Sequence, residues 1–407
     1  MFSSSNIRSF AAASAAMLLV TGVAAAPAPL ALANAGTFVD DVSQCPMLAP
    51  RAAPPANISG VYSIVVREVH EPYSRIQFSV DVRIDDIKVV MALGDSITAA
   101  FGARGSNWGV PFTQLDENRG ISFASGSDAG AVSVFNFAKH FNNKAYGGSY
   151  GNHLVEVCYG QLCPVFEWSP QDVLNVALSG AKFENLDKEV NHLIDITRNN
   201  KNVDLQNDWK YLNLLIGAND VCGSCTTPTT SQQYDAYIRN VLEKVRKNIP
   251  RTIVNVISLF KVSQIWELTK RDPHCIGLRI AGLHLECTCA LSLGDTLLGV
   301  HTRKIMDDQI DVWNAQLVKI VADYKNKYND FAVIMDPGVG AADLRKFPKN
   351  YISDLDCFHP SAVAHAYVAK FVWNNLFLDS RSKVTPMDAG KAVQIYCPTE
   401  NDRIQVA

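Results

Sequence analysis

Two short blocks hold the residues best suited to chemistry. Ser96 lies in Gly94-Asp95-Ser96, directly after the apolar run Ile87-Lys88-Val89-Val90-Met91-Ala92-Leu93. Far downstream, His359 closes Asp356-Cys357-Phe358-His359. A serine hydroxyl is a poor nucleophile at neutral pH and needs a base to take its proton. An imidazole is such a base, and a carboxylate beside it fixes its tautomer and stabilises its cationic form. These residue types offer the nucleophile, general base and orienter of a Ser-His-Asp hydrolase. Asp354 is a second possible orienter. His365 is a rival histidine, but it falls on a helix face, where packing or capping is the expected role.

The elements around these blocks must bring them together. Ile87–Leu93 reads as a buried strand that stops at a tight turn and opens a helix with Ser96 at its start. That places the hydroxyl at the strand's carboxyl end, near the partial positive charge of a helix N-terminus. Val173–Leu178, Tyr211–Ile216, Thr252–Leu259 and Phe331–Asp336 are further short apolar runs bounded by polar, Gly or Pro residues, the pattern of strands buried on both faces. Helix-period stripes alternate with them: Leu186 to Thr197, Tyr234 to Val245 (ended by Pro250), Ile310 to Tyr324, and Ala362 to Leu376. Alternating strands and helices imply an α/β domain with a parallel sheet covered on both sides. Sites in such sheets lie beyond the carboxyl ends of the strands. Ser96, Gly180 after Val173–Leu178, and Asn219 after Tyr211–Ile216 all fall at that edge. Residues 101–170 and 261–300 read as loops that cover and shape the site, and residues 61–83 as a possible hairpin.

The chain has 407 residues, 48% hydrophobic and 19% charged, with a net charge of −3. This is an ordinary globular composition, and the near-neutral balance argues against nucleic acid as a partner. Residues 1–35 read as a signal peptide: Arg8 is the only charge, Phe10 to Ala26 is nearly all apolar, and Ala33-Asn34-Ala35 offers a cleavage site. An uncleaved membrane anchor is the competing reading. Residues 36–82 read as a leader or N-terminal extension and 83–400 as one hydrolase domain. The C-terminus carries no retention signal or lipid-anchor tail, so the mature protein is expected to be secreted. Secretion makes disulfides the expected fate of all ten cysteines: Cys45, Cys158, Cys163, Cys222, Cys225, Cys275, Cys287, Cys289, Cys357 and Cys397. Cys222-x-x-Cys225 also invites a redox reading and His284-x-x-Cys287-x-Cys289 a metal reading, but secretion favours structural bridges for both. Asn57-Ile58-Ser59 is a candidate glycosylation sequon in an Ala/Pro-rich stretch.

Four blocks taken in order resemble the GDSL/SGNH hydrolase superfamily: Gly94-Asp95-Ser96-Ile97-Thr98; Asn175-Val176-Ala177 through Ser179-Gly180-Ala181; Ile216-Gly217-Ala218-Asn219-Asp220; and Asp356-Cys357-Phe358-His359. Within it the chain resembles the animal-type phospholipase B lipases. That narrower resemblance rests on Asp85-Asp86-Ile87-Lys88-Val89-Val90, Asp208-Trp209-Lys210, Val221-Cys222 to Cys225, Asp330-Phe331-Ala332-Val333, and His365 with Trp373-Asn374-Asn375. It covers about residues 82–400, and the stretch between Gly102 and Gly160 matches least.

The resemblance implies a flavodoxin-like three-layer sandwich, the SGNH hydrolase fold. It assigns Ser96, Asp356 and His359 to catalysis, and the oxyanion donors to the backbone N–H groups of Ser96 and Gly180 and the side-chain amide of Asn219. It implies no cofactor and no metal. The expected activity is hydrolysis of fatty acyl esters of phospholipids and lysophospholipids through an acyl-enzyme, by a monomer that touches membrane or micelle surfaces transiently. An esterase of the same fold acting on an acetylated polysaccharide or a simple lipid ester is the alternative. A binding protein that has lost catalysis and a Cys-x-x-Cys oxidoreductase are the readings from other classes. Asp95 and Asp220 are expected to hydrogen-bond within their loops.

Overall fold

The first core strand, β1 (Ile87–Gly94), is buried at seven of its eight positions. It is followed in the same sheet by β2 (Trp209–Leu215), β3 (Thr252–Ile257) and β4 (Phe331–Asp336), paired side by side and all parallel. This computed structural model describes residues 36–51, 53–56, 59–63, 76–106, 115–163, 168–282, 286–379 and 381–406, with backbone alone for 59–63 and 76–80. The signal-peptide stretch, Asn57 and His284 lie outside the described residues.

The Val173–Leu178 run takes the far side of β1, but as an irregular strand. Ala92 N–H donates to Leu174 C=O, and Val176 N–H returns to Ala92 C=O. The next rung is broken because Gly94 N–H donates to the Glu189 carboxylate instead. Val176 C=O accepts from the Trp168 indole. One substituted donor and one substituted acceptor thus reduce an expected strand to isolated bridges. Counted with that run, the spatial order is 2-1-3-4-5, the flavodoxin-like order, with its switch point between β1 and β2.

Helices cover both faces. Leu186–Arg198 (α1), Ser231–Asn248 (α2) and Leu297–Tyr324 (α3) pack in succession on one side. There Phe183 packs edge-to-face on Tyr234 and Trp313, which stack on each other, at centroid distances of 4.9–6.0 Å. Ala362–Asn375 (α4) lies on the other side against a helix at Val134–Phe141. That helix falls inside a stretch expected to be loop. Ser133 caps it, and Phe137 and Phe141 pack on the buried Trp373. Burial of each such ring stabilises by about 1.5–3 kcal/mol, enough to hold a helix of eight residues that no propensity would support alone. The hairpin expected near 61–83 is present as Ser59–Ser63 paired with Ile76–Val80. The N-terminal stretch is joined to the chain's other end: Thr37–Val39 pairs with Ile395–Cys397, and Cys45 bridges Cys397. No helix among the described residues is long and apolar enough to cross a membrane.

Candidate active site

β1 ends at Gly94, whose φ of +152° suits glycine, and a Cβ there would meet Leu215 C=O at 2.3 Å. The chain then turns into the single helical turn Ser96–Ala99. Asp95 caps that turn by accepting Ile97 N–H at 3.0 Å. It is fully buried, and desolvation raises its pKa to about 6 even though the Ile97 and Ala218 amides oppose the shift. Beneath it Glu189 accepts Gly94 N–H at 2.9 Å, and burial holds its carboxyl well above the usual range. Glu189 sits on the otherwise apolar stripe of α1. A charge at that phase was the sequence signal for it.

His359 Nε2 lies 2.7 Å from Ser96 Oγ. Its other nitrogen, Nδ1, meets Asp356 Oδ2. The second carboxylate oxygen, Oδ1, accepts the backbone N–H groups of Phe358 at 2.9 Å and His359 at 3.0 Å. All three side chains are buried. Burial alone would raise the Asp356 pKa; the His359 charge and the hydrogen bonds outweigh it and hold the carboxyl below its ordinary range. Burial would likewise lower His359, but Asp356, then Glu286 and Asp95, carry it above 6.5. The imidazole packs edge-on against Phe101 at 4.9 Å and Phe358 at 5.1 Å, which limits its rotation.

The rivals go elsewhere. Asp354 accepts Ser106 N–H at 2.7 Å. His365 Nδ1 accepts Phe123 N–H at 3.2 Å, so the ring proton sits on Nε2, and burial lowers its pKa to about 3. It is a neutral packing histidine. Asp220 accepts Phe183 N–H at 3.0 Å and is pushed up to about 8 by burial. Glu286 escaped the sequence reading, having no pattern around it except the neighbouring cysteine. Burial, with Asp356 adding to it, raises its pKa to about 7.

Gly180 and Asn219 stand at the same sheet edge. Gly180 has φ +83°, and a Cβ would come within 3.0 Å of Cys158 C=O. Among the described residues no acceptor is found for the N–H groups of Ser96 or Gly180. Asn219 follows β2 in the short helix Ala218–Cys222. Its Nδ2 donates one hydrogen to Ala181 C=O at 3.0 Å, which fixes the amide's orientation and leaves a second N–H. An apolar cavity of about 70 Å³ lies behind these blocks, lined by Ile97, Leu215, Phe358 and His365 among others; Ser96, Asp356 and His359 do not line it.

All ten cysteines are paired, and four of the five bridges brace these blocks. Cys158–Cys163 closes the loop whose Cys158 N–H donates to Ser179 C=O. Cys222–Cys287 and Cys225–Cys289 tie the Asn219 helix to the loop carrying Glu286. Cys275–Cys357 anchors the histidine block. The Cys-x-x-Cys cysteines therefore pair outward, not with each other, and the thiols of the suggested Cys287/Cys289 metal set are spent. A different donor group, His153, Glu156 and Asp172, gathers within 4.8 Å. Its charge is met by the protein itself: His153 Nε2 reaches Asp172 at 2.8 Å, and Arg119 reaches the same carboxylate at 3.0 Å.

This arrangement can pass a proton from Ser96 to His359 and offer donors to an oxyanion. The family model and the curated relatives agree in class. The chain is 29% identical over 328 residues to "Phospholipase B1, membrane-associated" of Homo sapiens, covering 77% of this chain and 21% of that protein. The Rattus norvegicus counterpart is 28% identical, with coverages of 79% and 22%. The chain thus spans about a fifth of the length of the curated relatives it matches. Among solved structures it is similar to a putative GDSL-like lipase from Parabacteroides merdae, at 18% identity and a TM-score of 0.32, over 70% of this chain and 93% of that one. Residues 90–372 match the family model described as GDSL-like Lipase/Acylhydrolase, and the chain belongs to that family of ester hydrolases.

Proposed function

We propose that the protein is a secreted serine esterase that hydrolyses fatty acyl esters of glycerophospholipids and lysophospholipids, as a phospholipase B does. The observation that carries this reading is the Asp356–His359–Ser96 relay, with Nε2 2.7 Å from Oγ. In it Ser96 Oγ attacks the acyl carbonyl while His359 takes its proton. Asp356 holds the resulting imidazolium. The N–H groups of Ser96 and Gly180 and the amide of Asn219 receive the oxyanion. Collapse releases the alcohol, protonated by His359, and leaves an acyl-Ser96 ester. Water, deprotonated by His359, then frees the fatty acid.

Similarity to phospholipase B1 supports a fatty acyl lipid over an acetylated polysaccharide. The five disulfides fit an oxidising compartment, and the apolar stretch before Ala35 fits a cleaved leader. The reading includes a leader at 1–35, an extension at 36–82, a catalytic domain at 83–400, a monomeric state, no metal or organic cofactor, and transient contact with lipid surfaces.

The test has two parts. A fluorophosphonate probe should label wild-type protein and fail to label a folded Ser96→Ala variant, which should retain less than about a thousandth of the activity. Diacyl phosphatidylcholine should then yield fatty acid and glycerophosphocholine, with lysophosphatidylcholine as a transient. Stoichiometric accumulation of lysophosphatidylcholine would show a position-restricted phospholipase. Hydrolysis of short p-nitrophenyl or acetyl esters with none of either phospholipid would establish the general-esterase alternative.

A further inference from the structure

The run that delivers Gly180 lies at the outer edge of the sheet, and among the described residues no neighbouring strand serves the outward carbonyls of Asn175 and Ala177. A side chain takes that place. The Arg119 guanidinium donates to Asn175 C=O at 2.9 Å and to Ala177 C=O at 2.8 Å. The same guanidinium is gripped by Glu117 Oε2 at 2.5 Å and by Asp172 at 3.0 Å. Glu117 and Arg119 are fully buried and Asp172 nearly so. Arginine is the side chain whose planar fork can span two carbonyls and a carboxylate together.

If this pair served packing alone, both oxygens of Glu117 could face Arg119. Instead Oε1 turns to Ser179 and accepts its hydroxyl at 2.5 Å. Ser179 is the residue before Gly180, and its own carbonyl is fixed by Cys158 N–H at 2.8 Å. The Ser179–Gly180 peptide carries the Gly180 N–H. That peptide is therefore held by the Ser179 side chain and carbonyl just before a glycine that is free to rotate. The clamp also reaches the nucleophile: Asn175 Nδ2 donates to Thr98 C=O at 3.0 Å, in the turn that Ser96 begins.

We propose that Glu117, held by Arg119 and acting through Ser179, is a positioning residue that sets the Gly180 N–H for the oxyanion. This rests on the reading of Ser96 as nucleophile and Gly180 as oxyanion donor. An oxyanion donor acts mainly in the transition state, so misplacing it lowers kcat and spares KM.

The main test is Ser179→Ala, which removes one hydroxyl and leaves the ion pair whole. The expected result is a fall in kcat of about tenfold to a hundredfold with KM within about twofold. Affinity for a trifluoromethyl ketone, which forms a tetrahedral oxyanion on Ser96, should fall by the same factor as kcat/KM. Ser179→Thr, which keeps a hydroxyl, should recover most of the loss. Glu117→Gln should give a similar kcat defect, and the Glu117→Gln/Ser179→Ala pair should be markedly less than multiplicative, as for residues on one path. Wild-type kcat in Ser179→Ala would overturn the proposal. So would a loss of kcat with unchanged ketone affinity, or a loss that Ser179→Thr does not recover. Fluorophosphonate labelling of wild-type Ser96 separates the two levels: without labelling the underlying site reading fails, whereas labelling with an unaffected Ser179→Ala removes the positioning role alone.

Discussion

Replacement of Asp356 by Asn tests how the triad is oriented, and the local hydrogen bonds determine what the amide must do. Oδ1 accepts two backbone N–H groups, from Phe358 and His359. An asparagine would keep its oxygen there, because turning its NH₂ toward two donors would leave three donating groups facing one another. The NH₂ then falls where Oδ2 meets His359 Nδ1. Nδ1 is forced to accept, so the ring proton moves to Nε2 and points at Ser96 Oγ. In that tautomer the imidazole cannot take the serine proton, and the charge that stabilised its cation is gone. The expected loss in kcat is about 10³–10⁴, or roughly 4–5.5 kcal/mol of barrier. Asp356→Ala gives the contrast. It frees the tautomer but strips two buried N–H groups of their acceptor, at roughly 1–3 kcal/mol each. Asn should therefore be more stable than Ala by chemical denaturation, yet no more active in an ester-hydrolysis assay on folded protein. An Asp356→Asn enzyme retaining more than about a hundredth of wild-type kcat, or clearly outperforming Asp356→Ala, would refute this account of the tautomer.

Further outcomes follow from the same geometry. Asn219→Ala should lower kcat by about 10²–10³ with little change in KM, because its second N–H is used as charge develops; an effect confined to KM in steady-state kinetics would assign Asn219 to ground-state binding. His359 must be neutral to act, and its pKa is held above 6.5, so kcat/KM should fall as pH drops through a midpoint above that value. Glu286→Gln removes a negative charge that favours the imidazolium, so the acid limb of the pH–rate profile should move downward; an upward shift or none would show that Glu286 does not act on His359. Replacing Cys275 and Cys357 together by Ser should cost about 2–4 kcal/mol in denaturant stability and also lower kcat, since the bridge anchors the histidine block; unchanged stability and rate would assign it no such role. Chelation by EDTA should leave the rate unaltered; a metal-restored loss of activity would contradict the proposed chemistry.

Much of the molecule was written locally. The apolar run ending in Gly94-Asp95-Ser96 specified a strand, a turn only glycine can make there and the helical turn that presents Ser96, all within ten residues. Asp356 and His359 stand three residues apart, so their pairing is also a short-range matter. Short continuous apolar runs marked the strands that became the sheet, because both of its faces are covered, and period-3.6 stripes marked the helices of the covering layers, because each buries one face. The Val173–Leu178 run shows the limit: its composition is that of a strand, but Glu189 and Trp168 took a donor and an acceptor the ladder required. The helix at Val134–Phe141 is the reverse case, formed because Trp373, far along the chain, was there to receive its rings.

Only the tertiary structure decided which partners distant residues found. Ten cysteines allow many pairings, and chain spacing did not show that Cys222 and Cys225 would part and bridge Cys287 and Cys289. Nor did it show that the Glu286 charge would act on His359, or that Glu117 and Arg119 would underlie the run leading to Gly180. A buried charge obeys no periodicity. Its position is fixed by the compensating charge and hydrogen bonds it meets once the chain has closed, and those partners lie far away in sequence. The amino-acid order by itself determined which residues could do the chemistry; folding determined the distances, the proton affinities and the supports that let them do it.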